Sequence, residues 1–300
     1  MKIALITPAR PGARSGNRHT ALRWAAFLRA AGHRVTVSTE WDGAPADVML
    51  ALHARRSHAS IKEFPGPVIL ALTGTDIYSD IHTSADARRS IDMAQRLIVL
   101  QRKAAEEIDR RAHVVVQSSA TRLRHRPVKK FRVCVIGHLR AVKDPLLTLK
   151  ALKYVQRDIE VVQLGELLDK ELKPQTTDRR YRWLGSVPHG QALRWLASSH
   201  AMVISSRMEG GANVVCEALR IGVPVLASRI PGNVGLLGDH YSGYFPVGDA
   251  RALAQLLEKD EAYYKKLKRQ IVPLRAMVAP QSEARALLNA VTARRGSRST

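Results

Sequence analysis

Ser205-Ser-Arg-Met-Glu209-Gly-Gly-Ala-Asn-Val-Val-Cys-Glu217-Ala-Leu-Arg-Ile-Gly-Val-Pro-Val-Leu-Ala227 reads as a strand end, a glycine-bearing turn, a helix, a glycine stop and a strand. The pattern predicts a helix over 213–221 and a strand over 224–227. Gly210 and Gly211 let the backbone approach a ligand closely, and the amides that open the helix behind them form an anion site. Two carboxylates flank this turn: Glu209 stands within it, and Glu217 lies eight residues on, inside the helix. Taken singly, Glu209 could cap the helix and Glu217 could be a surface charge.

Outward from this segment, short aliphatic and β-branched runs alternate with longer amphipathic stretches, the βαβ signature of parallel sheets covered on both faces. In the first half the runs predict strands over 2–7, 34–38, 47–51, 68–72, 96–99 and 113–116, with a helix over 20–31 that ends at Gly32. A basic stretch, Arg122-Leu-Arg-His-Arg-Pro-Val-Lys-Lys130, follows. The pattern then restarts, with strands over 131–136, 160–164, 182–184 and 201–205, and helices from Pro145, over 191–198 and over 249–259. The expected fold is α/β, two doubly wound Rossmann-like domains facing each other across a cleft, with ligands at the carboxyl ends of the strands. Residues 1–125 form the expected N-terminal acceptor domain and 131–275 the C-terminal nucleotide domain. Residues 276–300 form a last helix and tail, packed back on the first domain.

The 300 residues suffice for two such domains, and 45% hydrophobic content with 25% charged residues excludes a disordered chain. Lys and Arg number 48 against 26 Asp and Glu, a formal charge of +22. Residues 1–130 carry 22 basic and 11 acidic side chains and residues 131–300 carry 26 and 15, so the excess is spread evenly, as on solvated helix faces. With aromatics at 5% there is little material for stacking on bases, which argues against a nucleic-acid-binding protein. No apolar run reaches the length of a membrane span, so no membrane insertion is expected. Cys134 and Cys216 sit in apolar runs and read as two buried thiols in a reducing, cytoplasmic setting. Neither has a second ligand at metal-site spacing, and no metal is expected.

Three further segments fall at carboxyl ends of expected strands. Val135-Ile-Gly137-His-Leu-Arg140-Ala-Val-Lys143-Asp-Pro145 sets two cations just beyond a strand, where they can neutralise a departing diphosphate. Pro8-Ala-Arg10-Pro-Gly12-Ala-Arg14-Ser-Gly16-Asn17-Arg18-His19 reads as a loop with three arginines in nine residues, suited to a small anion and poorly to a neutral sugar acceptor. Leu52-His53-Ala-Arg55-Arg56-Ser57 and Leu72-Thr73-Gly-Thr75-Asp76 supply a potential acid/base histidine and a carboxylate. As isolated residues these are more often a satisfied loop histidine and a capped helix start; placed together at one edge, they read as acceptor-site residues.

Glu-x7-Glu followed by Ala-Leu-x-x-Gly-Val-Pro-Val resembles the hallmark segment of the GT-B retaining-type glycosyltransferases. The likeness extends to Tyr181-Arg-Trp-Leu-Gly-Ser-Val-Pro188 and to Gly243-Tyr-Phe-Pro-Val-Gly-Asp249, covering most of residues 131–260. The resemblance implies that Glu217 holds the ribose hydroxyls of a nucleotide sugar. It also implies that Glu209, Gly210 and Gly211, with Ala212, Asn213 and Gly16, meet the sugar and diphosphate. That family carries Gly-Arg-Leu and a later lysine after its first C-terminal strand. Here His138 stands at the arginine position, Lys143 carries over, and Arg140, displaced by two, serves by analogy; Lys143, Arg140 and Glu209 are the implied catalytic residues.

Together with Ser15-Gly-Asn-Arg18, Ala51–Ser57, Leu72–Tyr78 and Ala227–Gly238, these segments look like the selenosugar synthases of selenoneine biosynthesis (SenB), over nearly the whole chain. This narrower resemblance implies a UDP-sugar donor, UDP-N-acetylglucosamine or UDP-glucose, and selenophosphate as acceptor, with no cofactor or metal. A functional link to an enzyme that supplies selenophosphate follows from it. The acceptor side then consists of Arg10, Arg14, Asn17, Arg18, His53, Thr75 and Asp76. The alternative is a conventional GT-B glycosyltransferase acting on a hydroxyl of a lipid or small metabolite.

Overall fold

A computed structural model of the chain describes residues 1–13, 15–74 and 76–293. Two compact units are present: residues 1–117 together with the chain from Pro280, and residues 118–279. Each is built on a six-stranded parallel sheet.

The first unit contains β1 (Lys2–Ile6), β2 (Arg34–Ser38), β3 (Val48–Leu52), β4 (Val68–Leu72), β5 (Arg96–Val99) and β6 (Ala112–Val114), in the order β2-β1-β3-β4-β5-β6. Val48-Met-Leu-Ala-Leu52 and Val68-Ile-Leu-Ala-Leu72 are buried at every position, which is why these central strands are continuous apolar runs. Alternate residues feed opposite faces. Leu50, Leu52, Ile69 and Ala71 join Trp24 and Leu28, whereas Met49, Ala51, Leu70 and Leu72 join Ile61 and Phe64.

The expected 20–31 helix begins a turn earlier and spans Gly16–Ala30, so Gly16, Asn17, Arg18 and His19 belong to its first turn and not to the preceding loop. The cause is Ser15, whose extended backbone stops the helix while its Oγ accepts the Arg18 amide at 3.3 Å. The helix Pro280–Thr292 completes this unit. It buries Leu287, Ala290 and Val291 in the same core as Trp24, and the Arg96 guanidinium donates to the carbonyls of Ala290, Val291 and Ala293 at its end.

The second unit contains β7 (Phe131–Ile136), β8 (Ile159–Leu164), β9 (Tyr181–Trp183), β10 (Ala201–Ile204), β11 (Val225–Ser228) and β12 (Tyr244–Phe245), in the order β12-β11-β10-β7-β8-β9. β12, two residues long, carries too little pattern to be read from sequence; the other strands lie within two residues of their expected bounds. The basic stretch 122–130 forms neither helix nor strand. It is tied to this unit by amides of His125, Arg126 and Val128 that donate to Ile221, Ala197 and Ser198 carbonyls. Cys134 and Cys216 are both buried and unbridged. Among the described residues no helix is long and apolar enough to cross a membrane.

Candidate active site

In the second sheet β7 pairs with β10, yet the chain leaves β7 toward β8 on one side and β10 toward β11 on the other. The loops after β7 and β10 therefore diverge, and such a switch point opens a crevice at the carboxyl ends of the strands. Lys143 lies in the first of these loops and Glu209 in the second. Their side chains form an ion pair, Lys143 Nζ to Glu209 Oε1.

The two loops are stitched together around that pair. The Ser205 hydroxyl meets the carbonyls of Lys143 at 3.0 Å and Asp144 at 2.8 Å, and the Arg207 amide donates to Val142 O at 2.8 Å. The Arg207 guanidinium reaches the Asp144 carboxylate at 3.0 Å. Asp144 itself is left-handed, with φ 42°, a costly backbone state for a non-glycine residue that these contacts hold in place. The Ser206 hydroxyl donates to Glu209 Oε1 at 2.7 Å, so the buried carboxylate keeps a neutral partner beside its cation. Behind it, Gly232 in the helix Pro231–Leu237 has no Cβ because one would overlap the Glu209 carbonyl oxygen.

Gly210 and Gly211 lead into the helix Asn213–Ile221. Its N-cap is Ala212, which makes no side-chain cap hydrogen bond, and its first turn carries no acidic residue. Glu217 lies one turn further along. Its Oε1 takes a 2.7 Å contact from His189 Nε2, and this carboxylate, foremost through its hydrogen bond, raises the His189 pKa above the ordinary histidine value. At the arginine position, His138 Nδ1 accepts the Glu166 amide at 3.2 Å, which folds the ring against the loop after β8. Arg140 is exposed and forms no ion pair among the described residues.

In the first unit the order reverses between β1 and β3, so the loops after these strands flank the corresponding crevice of that sheet. Arg10 is exposed in the first loop; Asn17 and Arg18 are half-buried and Gly16 exposed in the first helical turn. Arg14 and Thr75 lie outside the described residues. His53 follows β3 directly, with φ 78°, uncommon for a non-glycine residue, and is 3% exposed. Its Nε2 lies 3.7 Å from the Asp80 carboxylate, which also pairs with Arg55 Nε at 3.2 Å. Burial is the largest influence on this imidazole and pulls its pKa down, with Asp76 opposing. Asp76 is fully buried and its carboxylate accepts the amides of Ala54, Thr73, Gly74 and Ile77. It thereby ties the loop after β3 to the loop after β4.

The structure thus pairs Lys143 with Glu209, which Gly210 and Gly211 follow directly, and sets Glu217 on the helix after them. Two contributors escape the sequence reading. Ser206 is an ordinary serine until its contact with Glu209 is seen, and His189 meets Glu217 across 28 residues with no local pattern to announce the pair.

A family described as glycosyl transferases group 1 matches residues 120–271, just over half of the chain, and the chain belongs to that family. Two six-stranded parallel sheets covered by helices are its GT-B architecture. Among curated relatives, the Bacillus subtilis protein described as teichuronic acid biosynthesis glycosyltransferase TuaC is 25% identical over 217 residues, 65% of this chain and 55% of its own length. Glycosyltransferase 1 domain-containing protein 1 of Xenopus tropicalis is 24% identical over 290 residues, 81% of this chain and 83% of its own. Among solved structures, Anabaena HepE in complex with UDP-glucose superposes with a TM-score of 0.77 at 16% identity, covering 97% of this chain and 99% of that one. Sucrose-phosphate synthase from Thermosynechococcus elongatus gives 0.76 at 14%, covering 95% and 96%. At these identities the structural likeness concerns the fold.

Proposed function

We propose that this group 1 glycosyltransferase takes a UDP-sugar, UDP-N-acetylglucosamine or UDP-glucose, and transfers the sugar to the selenium of selenophosphate, giving a selenosugar for selenoneine biosynthesis. The observation that carries the donor half is the Lys143–Glu209 pair in the switch-point crevice, beside a helix whose opening amides lack a side-chain cap. UDP and UDP-glucose complexes of the similar HepE fold support the same nucleotide class.

In this reading Glu217 accepts the ribose hydroxyls, and the amides that open the helix Asn213–Ile221 meet the diphosphate. Lys143, with Arg140, stabilises the charge that grows on the β-phosphate as the anomeric C–O bond breaks. Glu209, relieved of its lysine by the incoming phosphate, is left to address the sugar. Selenium in selenophosphate is already anionic and polarisable, so its attack on the anomeric carbon needs no strong protein base. The C–Se bond forms as UDP departs, and water then takes the phosphoryl group from selenium, yielding the selenosugar and phosphate.

The acceptor half rests on the arginines of the first unit. Arg10, Arg14 and Arg18 offer planar guanidinium forks that suit a phosphate-like anion. His53, Asn17 and Thr75 complete the acceptor side, with Asp76 fixing the loop that carries His53.

The conventional alternative, transfer to a hydroxyl acceptor, is favoured by the name of the teichuronic acid relative. Incubation with UDP-N-acetylglucosamine or UDP-glucose, with and without selenophosphate, separates the two. Selenophosphate-dependent UDP release with a product of selenosugar mass supports the first. No UDP release with selenophosphate, together with turnover on a hydroxyl acceptor, overturns it.

A further inference from the structure

The contact between His189 and Glu217 belongs to no part of the glycine turn. His189 opens the helix His189–Ala197 after β9, directly behind Pro188, whose carbonyl accepts the amides of Gln191 and Ala192. This fixed helix start places the imidazole Nε2 at 2.7 Å from Glu217 Oε1. The two partners differ in exposure: the Glu217 side chain is 16% exposed and the His189 side chain 55%, so the histidine lies on the solvent side of the pair.

We propose that His189 is a positioning residue for Glu217, holding its carboxylate ready to accept the two ribose hydroxyls of the nucleotide. The inference rests on the reading of Glu217 as the ribose acceptor and adds to it the residue that sets its orientation.

Three considerations carry it. A glutamate on a helix turns about three side-chain bonds, and fixing it costs binding free energy unless that ordering precedes the ligand. A carboxylate has about four lone-pair sites, so an imidazole on one side of Oε1 leaves Oε2 and the remaining lone pair of Oε1 for a diol. The pairing also raises the His189 pKa, foremost through the hydrogen bond to Glu217, so the imidazole stays a donor toward Oε1 to higher pH than a free histidine would.

Calorimetric titration with UDP and with 2′,3′-dideoxy-UDP tests the proposal in the wild type, His189→Ala, His189→Gln, Glu217→Ala and the double variant His189→Ala/Glu217→Ala. The expected result is a three- to tenfold loss of UDP affinity in His189→Ala, no change for dideoxy-UDP, and partial recovery in His189→Gln, which keeps an N–H donor. In the Glu217→Ala background, removing His189 then has no further effect on UDP.

Equal losses for both nucleotides would make His189 a support of the helix and overturn the positioning role. Tighter UDP binding in His189→Ala would show that the histidine competes with the ribose, and would also overturn it. Failure of the underlying reading looks different: the wild type would not distinguish UDP from dideoxy-UDP, and Glu217→Ala would bind UDP normally.

Discussion

Trp24 donates its indole N–H to Glu283 at 2.7 Å, although 259 residues separate them. The same carboxylate takes Arg23 through both oxygens, Nε to Oε2 at 2.7 Å and the terminal nitrogen to Oε1 at 3.0 Å. Glu283 is fully buried, so the pair fixes one face of the helix Pro280–Thr292 against the helix Gly16–Ala30. Removing the acid takes the acceptor from a buried indole donor and a carboxylate partner from the Arg23 guanidinium. Glu283→Ala is expected to cost about 3–5 kcal/mol, toward the lower end because the Arg23 side chain keeps 21% exposure. Urea unfolding of wild type and variant gives the difference directly.

Lys143→Ala and Glu217→Ala should fail differently. If, as proposed, the lysine acts on charge that grows as UDP leaves, its loss is expected to lower kcat with a smaller change in UDP affinity. If, as proposed, the glutamate holds a ribose that is present throughout, its loss is expected to weaken UDP by about 1.5–3 kcal/mol. Calorimetry with UDP beside steady-state rates separates them, and a normal kcat in Lys143→Ala would move the lysine from chemistry to binding.

Gly232→Ala places a methyl group where the Glu209 carbonyl oxygen already lies. The obstacle is backbone and cannot swing aside, so the loop must shift. Overpacking of this kind costs about 1–3 kcal/mol, and here it displaces the Lys143–Glu209 pair as well. The expected variant is folded, with a lower melting temperature and a turnover loss larger than that of an alanine introduced at an exposed position.

Much of this architecture was legible from residue patterns. The buried runs of β3 and β4 and the glycine turn after β10 announce themselves locally, because their causes lie within a few residues. Ser15 was a visible capping residue, but Arg18 stands where a capping box has an acid, so the helix start went unread. Lys143 and Glu209 were each legible from their neighbours; that they bind one another depends on β7 and β10 being adjacent, a relation between segments 66 residues apart. His189 had no signal at all, since its meaning lies wholly in the packing of two helices.

His125 supplies a test by pH. Its Nε2–H donates to the Ser199 carbonyl at 2.8 Å while Nδ1 is buried without a partner. Burial is the first cause that brings its pKa down to about 4, against an ordinary 6.5. The unfolded chain therefore binds more protons between these values, and the histidine's contribution, complete above pH 6.5, is lost as pH falls toward 4. His125→Gln keeps a donor without a titrating group. Its melting temperature is expected to fall less steeply than that of the wild type across this window, and parallel curves would assign the acid sensitivity elsewhere.

Arg18→Lys keeps charge at the first helical turn but loses the planar fork. If the first unit recruits the selenophosphate anion, its KM should rise more than the affinity for UDP-sugar falls. Equal effects would place Arg18 on the donor diphosphate.

The first unit is discontinuous in sequence, opening at residue 1 and closing with the helix from Pro280. During synthesis the second unit, Ser118–Ala279, is whole before that helix leaves the ribosome, so the unit begun first is finished last. Until then Glu283 is not there to meet Arg23 and Trp24, and the face later covered by Leu287 and Val291 is bare. Domains ordinarily mature in the order they emerge; in this chain the second unit is complete in sequence ahead of the unit that precedes it.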